Sequence, residues 1–433
     1  MSSEEKFKDN YNSRSELVYG KEILEKVSKM KILIIGMRGL GVETAKNIIL
    51  NNPLEIDIFD PKKVTINDLG SNFFLSEEDV GKKNRDEACL EKLNNLNTYV
   101  TVNIFKIEEN NNMEEYTKLF CEKIHKYNVV VFTELYPMDF IDKIDKECRK
   151  NSIKLIYGIC LGLAGYVFTD FGPKHIIYDE NGQEMDPYLV KSITKDKEGL
   201  VTIDTIQRTV NLTLGDGDFV RFKGVEGMTE LNEEGKEFQI TFEDYKSFKI
   251  GDTSNFGEYT KGGTVYQIKK PKIMEYSDFS KRSKEICDYD HPIRSPDSTK
   301  NGRAELLYLT LLGIHDFYLK HNNSLPELNK MEQAKEIVEN VKIMYNTEKE
   351  KKTPCYENIQ EFDEKVVLNI TRWASANIIP VCAFFGGIIA QEIIKITGKY
   401  IPIDQWLIFD FLEVVENLGD NIDRTLQNCR YNI

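Results

Sequence analysis

Short apolar runs alternate with amphipathic segments over the first 165 or so residues of the chain. Lys31–Gly36 (KILIIG) is a continuous apolar run that ends in glycine, which is typical of a buried strand in a parallel sheet. Gly41–Leu50 follows it with helical spacing of its apolar positions. The same alternation predicts further strands at Glu55–Asp60, Tyr99–Phe105, Asn128–Thr133 and Lys154–Cys160, with helices at Asp86–Asn95 and Asp139–Asn151. We therefore expect an open α/β sheet with right-handed crossovers.

The pattern changes near Gly165. From there to about Lys270 no helical periodicity stands out, and short β-type segments are separated by turns rich in Gly, Asp and Asn. This predicts a compact all-β module with strands at Tyr166–Thr169, His175–Tyr178, Leu200–Thr205, Phe219–Phe222, Phe238–Phe242 and Val265–Ile268.

Helical spacing returns after residue 275. We predict helices at Arg303–Leu319, Met331–Tyr345, Asp363–Ala376 and Pro380–Thr397, and a final strand at Trp406–Phe409. Two adjacent glycines, Gly386 and Gly387, lie inside the last helix, where each costs roughly 1 kcal/mol relative to alanine. Close packing of that helix against another element would explain them. The chain thus begins as α/β, leaves for two inserted modules, and returns to α/β.

Composition excludes several classes of protein. The 433 residues are 41% hydrophobic and 30% charged, with a net charge of −14, which argues against nucleic acid as the main partner. The longest apolar stretch, Ile378–Ile389, is too short for a membrane span of about 20 residues, and the first residues lack an apolar signal segment. We expect a soluble, intracellular protein with no membrane partner.

The eight cysteines are scattered, with no C-x-x-C pair. This spacing predicts reduced thiols and no zinc or disulfide framework. The chain also lacks H-E-x-x-H, a Walker lysine motif and G-x-S-x-G, so we predict no metal site and no hydrolase centre.

One glycine-rich loop is a candidate for phosphate binding. Gly36, Gly39 and Gly41 lie between the first predicted strand and its helix, where glycine permits a tight turn and lets an anion approach the helix N-terminus. Asp60 ends the next strand, where an acid that binds ribose would lie. Glycines required only for packing at the turn are an equally good explanation of the loop alone.

A resemblance to a known family becomes specific at several motifs. Lys31–Leu50 and Asp68–Lys82 (DLGSNFFLSEEDVGK) are similar to the first nucleotide-fold repeat of ubiquitin-activating enzymes. Segments of the β-rich module resemble the first catalytic-cysteine half-domain of that family, and Phe384–Lys399 and Pro402–Asp410 resemble the end of the same repeat. The similarity runs in order along essentially the whole chain.

The resemblance implies a domain order: the first part of an inactive, Rossmann-like adenylation domain (residues 1–163), a β-rich catalytic-cysteine half-domain (164–271), a four-helix bundle (272–352), the second part of the adenylation domain (353–418) and a linker (419–433). It also implies a cytoplasmic and nuclear enzyme that adenylates the C-terminus of ubiquitin with ATP and magnesium, forms a ubiquitin thioester, and passes ubiquitin to a conjugating enzyme. This chain would be the non-catalytic half and the partner of an active adenylation half on the same polypeptide. The thioester cysteine is expected outside these residues.

The same resemblance implies that this half lacks the residues that act on ATP. Ser71 and Asn84 fall where the active repeat of the family has an arginine and a lysine, and Glu134 falls where it has a magnesium-binding aspartate. Neutral side chains cannot offset phosphate charge. We therefore expect the loop with Gly36, Gly39, Gly41 and Asp60 to be vestigial, with no tightly bound cofactor.

One residue is expected to act in trans. Tyr11–Gly20 is similar to the family segment whose arginine reaches the ATP of the active repeat, and this role would fall on Arg14. The alternative is a surface arginine on the first helix.

Three other functions remain open on the sequence. A self-sufficient homodimeric enzyme that adenylates a ubiquitin-like or sulfur-carrier protein is opposed by Ser71 and Asn84. A nicotinamide dehydrogenase would explain the loop and Asp60 but not the inserted modules. A regulatory or binding subunit for a different ubiquitin-like modifier is not excluded by the sequence, because the resemblance implies that the modifier is chosen largely by the other half.

Ubiquitin contact is expected on the β-rich module. Between Gly165 and Lys270 the chain has 13 Lys+Arg and 19 Asp+Glu, a net charge of −6. The resemblance implies a basic partner surface, which complementary charge would orient. The predicted contact comprises Glu226, Glu230, Glu233 and Glu234 around the apolar Val225, Met228 and Leu231; an acidic loop that serves only solubility is the alternative.

Overall fold

The computed structural model describes residues 13–107, 113–182, 187–204, 214–284 and 299–414, with Ile286, Ile293 and Ser295. Two compact units divide the chain. The first comprises Met1–His175, Met274–Thr397 and Pro402–Ile433, and the second comprises Ile176–Ile273 and Gly398–Ile401. The expected linker 419–433 lies outside the described residues.

The first unit is built on a seven-stranded, mostly parallel sheet. Its strands are β1 (Lys31–Ile35), β2 (Glu55–Phe59), β3 (Thr101–Ile104), β4 (Val129–Phe132), β5 (Lys154–Leu161), β6 (Ala164–Asp170) and β16 (Trp406–Asp410). They are ordered β3-β2-β1-β4-β5-β6-β16, and β1 pairs in parallel with both β2 and β4. The strand order reverses between β1 and β4, which is where open α/β sheets bind their ligands. The predicted α/β architecture is confirmed.

Helices cover this sheet. The chain forms α1 (residues 13–19), α2 (Lys21–Val27), α3 (Gly39–Ile49), α4 (Arg85–Asn94), α5 (Met113–Lys123) and α6 (Met138–Lys150) before the second unit. After it come α7 (Phe279–Lys284), α8 (Arg303–Lys320), α9 (Met331–Glu350), α10 (Glu364–Arg372) and α11 (Ile379–Lys395). The sequence pattern did not reveal α5. No helix in the described part of the chain is both long and apolar enough to cross a bilayer.

The structure corrects the expected start of the β-rich module at residue 164. Strand β6 pairs antiparallel with β5 through a tight connection and with β16 on its other side, so it belongs to the sheet of the first unit. All seven residues of β6 are buried. The helices from residue 279 onward also lie in the first unit. The antiparallel hairpin explains the error, because β6 has the same apolar composition as the strands of an all-β module.

The second unit is an antiparallel β-structure. Its strands are β7 (His175–Ile177), β8 (Tyr188–Ile193), β9 (Leu200–Ile203), β10 (Phe219–Glu226), β11 (Phe238–Gln239), β12 (Thr241–Asp244), β13 (Ser247–Lys249), β14 (Lys261–Ile268) and β15 (Lys272–Met274). One sheet has the order β11-β10-β14-β8-β9-β13-β12, and β7 pairs with β15 separately. β11 and β12 lie at opposite ends of this strand order, but only the buried Ile240 separates them along the chain. They are therefore parts of one continuous segment, and the sheet closes on itself.

The cysteines depart from expectation in one place. Cys89, Cys121, Cys148, Cys160 and Cys382 are free thiols. Cys355 is disulfide-bonded, which corrects the prediction that all cysteines are reduced. Cys287 and Cys429 lie outside the described residues.

Candidate functional site

The glycine loop connects β1 to α3 at the switch point of the sheet. Gly36 has φ +95°, and a Cβ there would lie 2.7 Å from Oγ1 of Thr133. A Cβ on Gly41 would overlap the carbonyl oxygen of Gly36, and one on Gly39 would lie 2.9 Å from Sγ of Cys382. The hydroxyl of Thr133 donates to the carbonyl of Gly36 at 2.8 Å. Packing against protein atoms is therefore sufficient to require all three glycines.

A cavity of about 450 Å³ opens beside this loop. It is lined by residues at the carboxyl ends of the strands and by the segments after α8 and α10. Its charged lining residues are Arg38, Lys62, Arg85 and Glu134, and its polar ones include Thr65, Asn67, Asn323, Ser324, Ser375 and Asn377. Oγ of Ser375 is buried there without a hydrogen-bond partner. The cavity is therefore polar and rich in cations, although Ser71 and Asn84 are neutral.

Arg85 is a cation that the sequence reasoning missed. Its guanidinium lies among three carboxylates, with Nε 2.8 Å from Oδ2 of Asp68. Its Nη1 lies 3.4 Å from Oδ2 of Asp60 and 3.5 Å from Oε1 of Glu134. The side chain is only 8% exposed, so these ion pairs are shielded from water. The sequence did contain a clue, because Arg85 directly follows Asn84. Shifting the alignment with the active repeat of the family by one residue would have placed this arginine at the position of the expected cation.

Two further cations bind the same carboxylates. Nζ of Lys62 lies 3.1 Å from Oε2 of Glu134, and Nε of Arg38 lies 3.2 Å from Oδ1 of Asp68. Arg38 also donates from Nη2 to the carbonyl of Ser375 at 3.2 Å. The cations that face the cavity are thus already paired with the protein's own acceptors.

Asp60 lies behind this network and does not line the cavity. Its Oδ2 accepts the Met37 N–H at 2.9 Å, and its own N–H donates to Oδ2 of Asp86 at 3.0 Å. Burial, followed by the nearby Glu134, raises the pKa of Asp60 to about 7, against the opposing effect of Arg85. Burial would raise the pKa of Glu134 as well, but Lys62 and Arg85 outweigh it and lower that pKa.

Ser71 and Asn84 have local structural partners. Ser71 is buried, and its N–H donates to the carbonyl of Asp68 at 3.1 Å. Asn84 is the N-cap of α4 in a capping box with Glu87, whose side chain accepts the Asn84 N–H at 2.8 Å. Neither residue lines the cavity. Arg14 is exposed on α1 and does not line it either.

The acidic cluster of the second unit is only partly available to a partner. Oε1 of Glu230 accepts the N–H of Gly257 at 2.9 Å, and its Oε2 is buried without a hydrogen bond. Glu226 pairs with Lys261 at 3.6 Å and Glu233 with Lys236 at 3.1 Å, while Glu234 is exposed.

The apolar part of the predicted contact is not on the surface. Val225, Met228 and Leu231 are 2%, 0% and 0% exposed and belong to the core of the second unit. They hold β10 and the following turn in place, so the expectation of an apolar contact ringed by acids is wrong. The exposed acidic side chains of the cluster could therefore contact a partner only through their charge.

No cluster of His, Cys, Asp or Glu that could hold a metal ion occurs among the described residues. Burial also raises the pKa of the Cys89 thiol to about 12 and that of Cys121 to about 11. Thiols with raised pKa values are poor nucleophiles.

Comparison with known proteins gives a consistent result. A model of the ThiF family matches residues 11–418. The chain is 34% identical over 414 residues to ubiquitin-like modifier-activating enzyme 1 of Dictyostelium discoideum and 36% identical over 402 residues to ubiquitin-activating enzyme E1 1 of Candida albicans. These alignments cover 95% and 93% of this chain but only 38% and 36% of the relatives, so the chain spans little more than a third of their length. Among solved structures, E. coli MccB with MccA-N7isoASN aligns with a TM-score of 0.33 and 20% identity, covering 41% of this chain and 53% of that one.

Proposed function

Because the chain belongs to the ThiF family, we propose that it is the N-terminal, non-catalytic part of an enzyme that activates ubiquitin. The observation that carries this proposal is the similarity to two ubiquitin-activating relatives over more than nine-tenths of the chain. In this role the chain pairs with an active adenylation half, helps to bind ubiquitin, and leaves ATP and magnesium chemistry, thioester formation and transfer to a conjugating enzyme to the other half.

The charge network supports a non-catalytic role for the glycine loop. Arg85, Arg38 and Lys62 are each bound to a carboxylate of the chain itself, so contact with a phosphate would require these ion pairs to break. Asp60 accepts from the loop N–H of Met37 and pairs with Arg85, which leaves it poorly placed for a ribose hydroxyl. Catalysis by preorganised charge needs cations that are free to act on the developing phosphate charge.

The surface for the partner half includes α11 and the strand β16. Phe384 on α11 is 42% exposed and packs against Phe409 (tilted) and Phe411 (edge-to-face), with ring centroids 6.1 and 5.2 Å away. A partly exposed aromatic cluster of this kind, with Phe409 and Phe411 half-buried, favours protein contact. Phe385 and Ile389 are fully buried, so a contact between α11 and the partner half would use Phe384 and the half-buried Ile388.

A second candidate is a self-sufficient adenylating enzyme. The three cations around a cavity at the switch point favour it, because such a cavity is where open α/β sheets bind ligands. This self-sufficient enzyme is the weaker of the two candidates, because the cations are already paired with carboxylates of the chain.

ATP–pyrophosphate exchange with ubiquitin distinguishes the candidates. It is run on residues 1–433 alone and on the same chain joined to the part of the Dictyostelium relative that it does not match. We expect exchange only from the joined protein. Ubiquitin-dependent exchange by residues 1–433 alone would establish the self-sufficient enzyme, and no exchange by a folded joined protein would contradict the role of partner half.

Arg14 is tested in the same joined protein. If it reaches the ATP of the active half, Arg14→Ala slows exchange more than it weakens ATP binding, because its charge would act on the transferring phosphate. Lys21→Ala, an exposed cation at the start of α2, is the matched control.

A further inference from the structure

Three carboxylates from separate segments of the chain converge on one guanidinium. Asp60 follows β2, Asp68 lies in the 3₁₀ turn Ile66–Gly70, and Glu134 follows β4. All three lie within 3.5 Å of a nitrogen of Arg85. We propose that these carboxylates form a binding site for a guanidinium ion, which the chain fills with its own Arg85 and which accepts a small free guanidinium when that side chain is removed.

Because the three carboxylates are buried, the stability of the protein around them depends on the bound cation. The side chains of Asp60, Asp68 and Glu134 are 2%, 0% and 11% exposed. Carboxylates removed from water are strongly destabilising unless they are paired. Without Arg85, the inner oxygens of the three groups would face one another with no cation between them.

The outer oxygens of the cluster are already bound. Lys62 holds Oε2 of Glu134, and Arg38 holds Oδ1 of Asp68. Arg85 is the cation that contacts Oδ2 of Asp60, Oδ2 of Asp68 and Oε1 of Glu134. The first of these oxygens also accepts the N–H of Met37, and the second accepts the N–H and hydroxyl of Thr65, all of them neutral donors. Three cations thus match three carboxylates, and neither Lys62 nor Arg38 can replace Arg85 without leaving its present partner.

The geometry favours guanidinium over other cations. Nε of Arg85 serves one carboxylate while Nη1 serves two others, which needs a planar cation with donors in fixed, separate directions. An ammonium is a compact point charge and cannot span the same oxygens. A divalent ion would need to draw the oxygens in to roughly 2.0–2.6 Å.

The start of α4 fixes the position of the bound group. Asn84 caps this helix in a capping box with Glu87, and Arg85 is the first helical residue. The backbone N–H of Arg85 donates to the carbonyl of Lys62 at 3.0 Å, which ties it to the segment after β2. The side chain is therefore directed into the carboxylates by contacts that its removal leaves in place.

Chemical rescue tests the site. Thermal unfolding of Arg85→Gly is followed against low-millimolar guanidinium chloride, with ionic strength held constant by sodium chloride. We expect a lower Tm than that of the unsubstituted protein, and a saturable recovery of that Tm with guanidinium. Lys83→Gly, an exposed neighbour that pairs with Asp79, is the matched control and should show no recovery. Methylammonium and magnesium chloride serve as the other cation probes.

Each result decides the proposal. A saturable recovery seen only with guanidinium and only in Arg85→Gly supports it. No recovery, an equal response in the unsubstituted protein, or a better recovery with methylammonium or magnesium overturns it. If Arg85→Gly does not fold, Arg85→Gly with Asp60→Asn removes one of the three buried carboxyl groups, and the same saturable response is required of it. Because the readout is stability, the result stands whether or not the exchange experiment succeeds.

Discussion

Gly386 on α11 lies directly against Glu43 on α3. A Cβ added to Gly386 would stand 2.7 Å from the Cβ of Glu43 and 3.1 Å from the backbone nitrogen of Thr44. The adjacent Gly387 has no such neighbour within 4 Å. Close helix packing, predicted from the glycine pair, is therefore confirmed for Gly386 and is not the reason for Gly387.

This difference predicts opposite effects of the same substitution. Gly386→Ala should destabilise the protein by roughly 1–3 kcal/mol, because α3 and α11 must move apart. Gly387→Ala should be neutral or stabilise it by up to about 1 kcal/mol through helix propensity. Urea unfolding of the two variants measures both, and equal changes in the free energy of unfolding would contradict the packing argument.

Asp60 should make stability depend on pH. Its pKa is raised to about 7 in the folded protein, against roughly 3.9 in an unfolded chain. A raised carboxyl pKa contributes stability that is complete below the unfolded value and is lost as pH rises through the folded one. Asp60→Asn cannot ionise, so its stability relative to the unsubstituted protein should rise between about pH 4 and pH 7, by at most about 1.4 kcal/mol per pH unit. Asp57→Asn, at another buried acid, is the control, and a difference for Asp60→Asn that does not vary with pH would show that burial does not hold the proton.

Nucleotide affinity should be weak. The cations beside the loop are paired with Asp60, Asp68 and Glu134, so the phosphates of ATP would have to displace these carboxylates. We expect calorimetric titration with magnesium and ATP to give no micromolar binding by residues 1–433. A micromolar Kd, about 8 kcal/mol of binding free energy, would mean that the network opens readily.

The exposed acids of the second unit should affect ubiquitin encounter without affecting stability. Glu233→Lys with Glu234→Lys should change the free energy of unfolding by less than about 0.5 kcal/mol, since both are surface residues. In the joined protein this double substitution should slow ubiquitin thioester formation and make its rate less dependent on salt, because complementary charge mainly speeds association. Gln at both positions should give a smaller effect of the same sign. An unchanged rate and salt dependence would leave the cluster with no role beyond solubility.

Glu230 is set apart from those acids by its contacts. It accepts the N–H of Gly257 and has a buried carboxylate oxygen, so its reversal would disturb the fold before any docking. It is therefore left unchanged in the reversed variants.

The sequence was a good guide where one local pattern decides the structure. The continuous apolar runs of β1 and β4 are buried along nearly their full length, and the strands predicted in the sheet of the first unit match to within a residue or two. In the second unit the predicted strands Phe219–Phe222 and Val265–Ile268 each miss four residues of β10 and β14. The sequence failed where partners distant in the chain decide. Strand β6 resembles a strand of the second unit until its pairing with β16, more than 230 residues away, is known.

The candidate site shows the same division. Gly36 and Asp60 could be placed at the strand ends from their spacing, since the carboxyl ends of parallel strands meet at one edge of the sheet. Arg85 could not, because spacing alone assigned the cation position to its neighbour Asn84. Only the convergence of Asp60, Asp68 and Glu134 on one guanidinium distinguishes the two residues.

The closed sheet of the second unit limits the kinds of contact that a partner could make with it. Since β11 and β12 meet through Ile240, the described strands of this sheet present side chains and loops to a partner, and none of them presents an open edge. A partner that docks here must be recognised residue by residue, and each contact can be altered by a single codon without disturbing the backbone ladder. Substitutions on such a closed sheet can therefore change the affinity for a partner in small steps without changing the strand pairing.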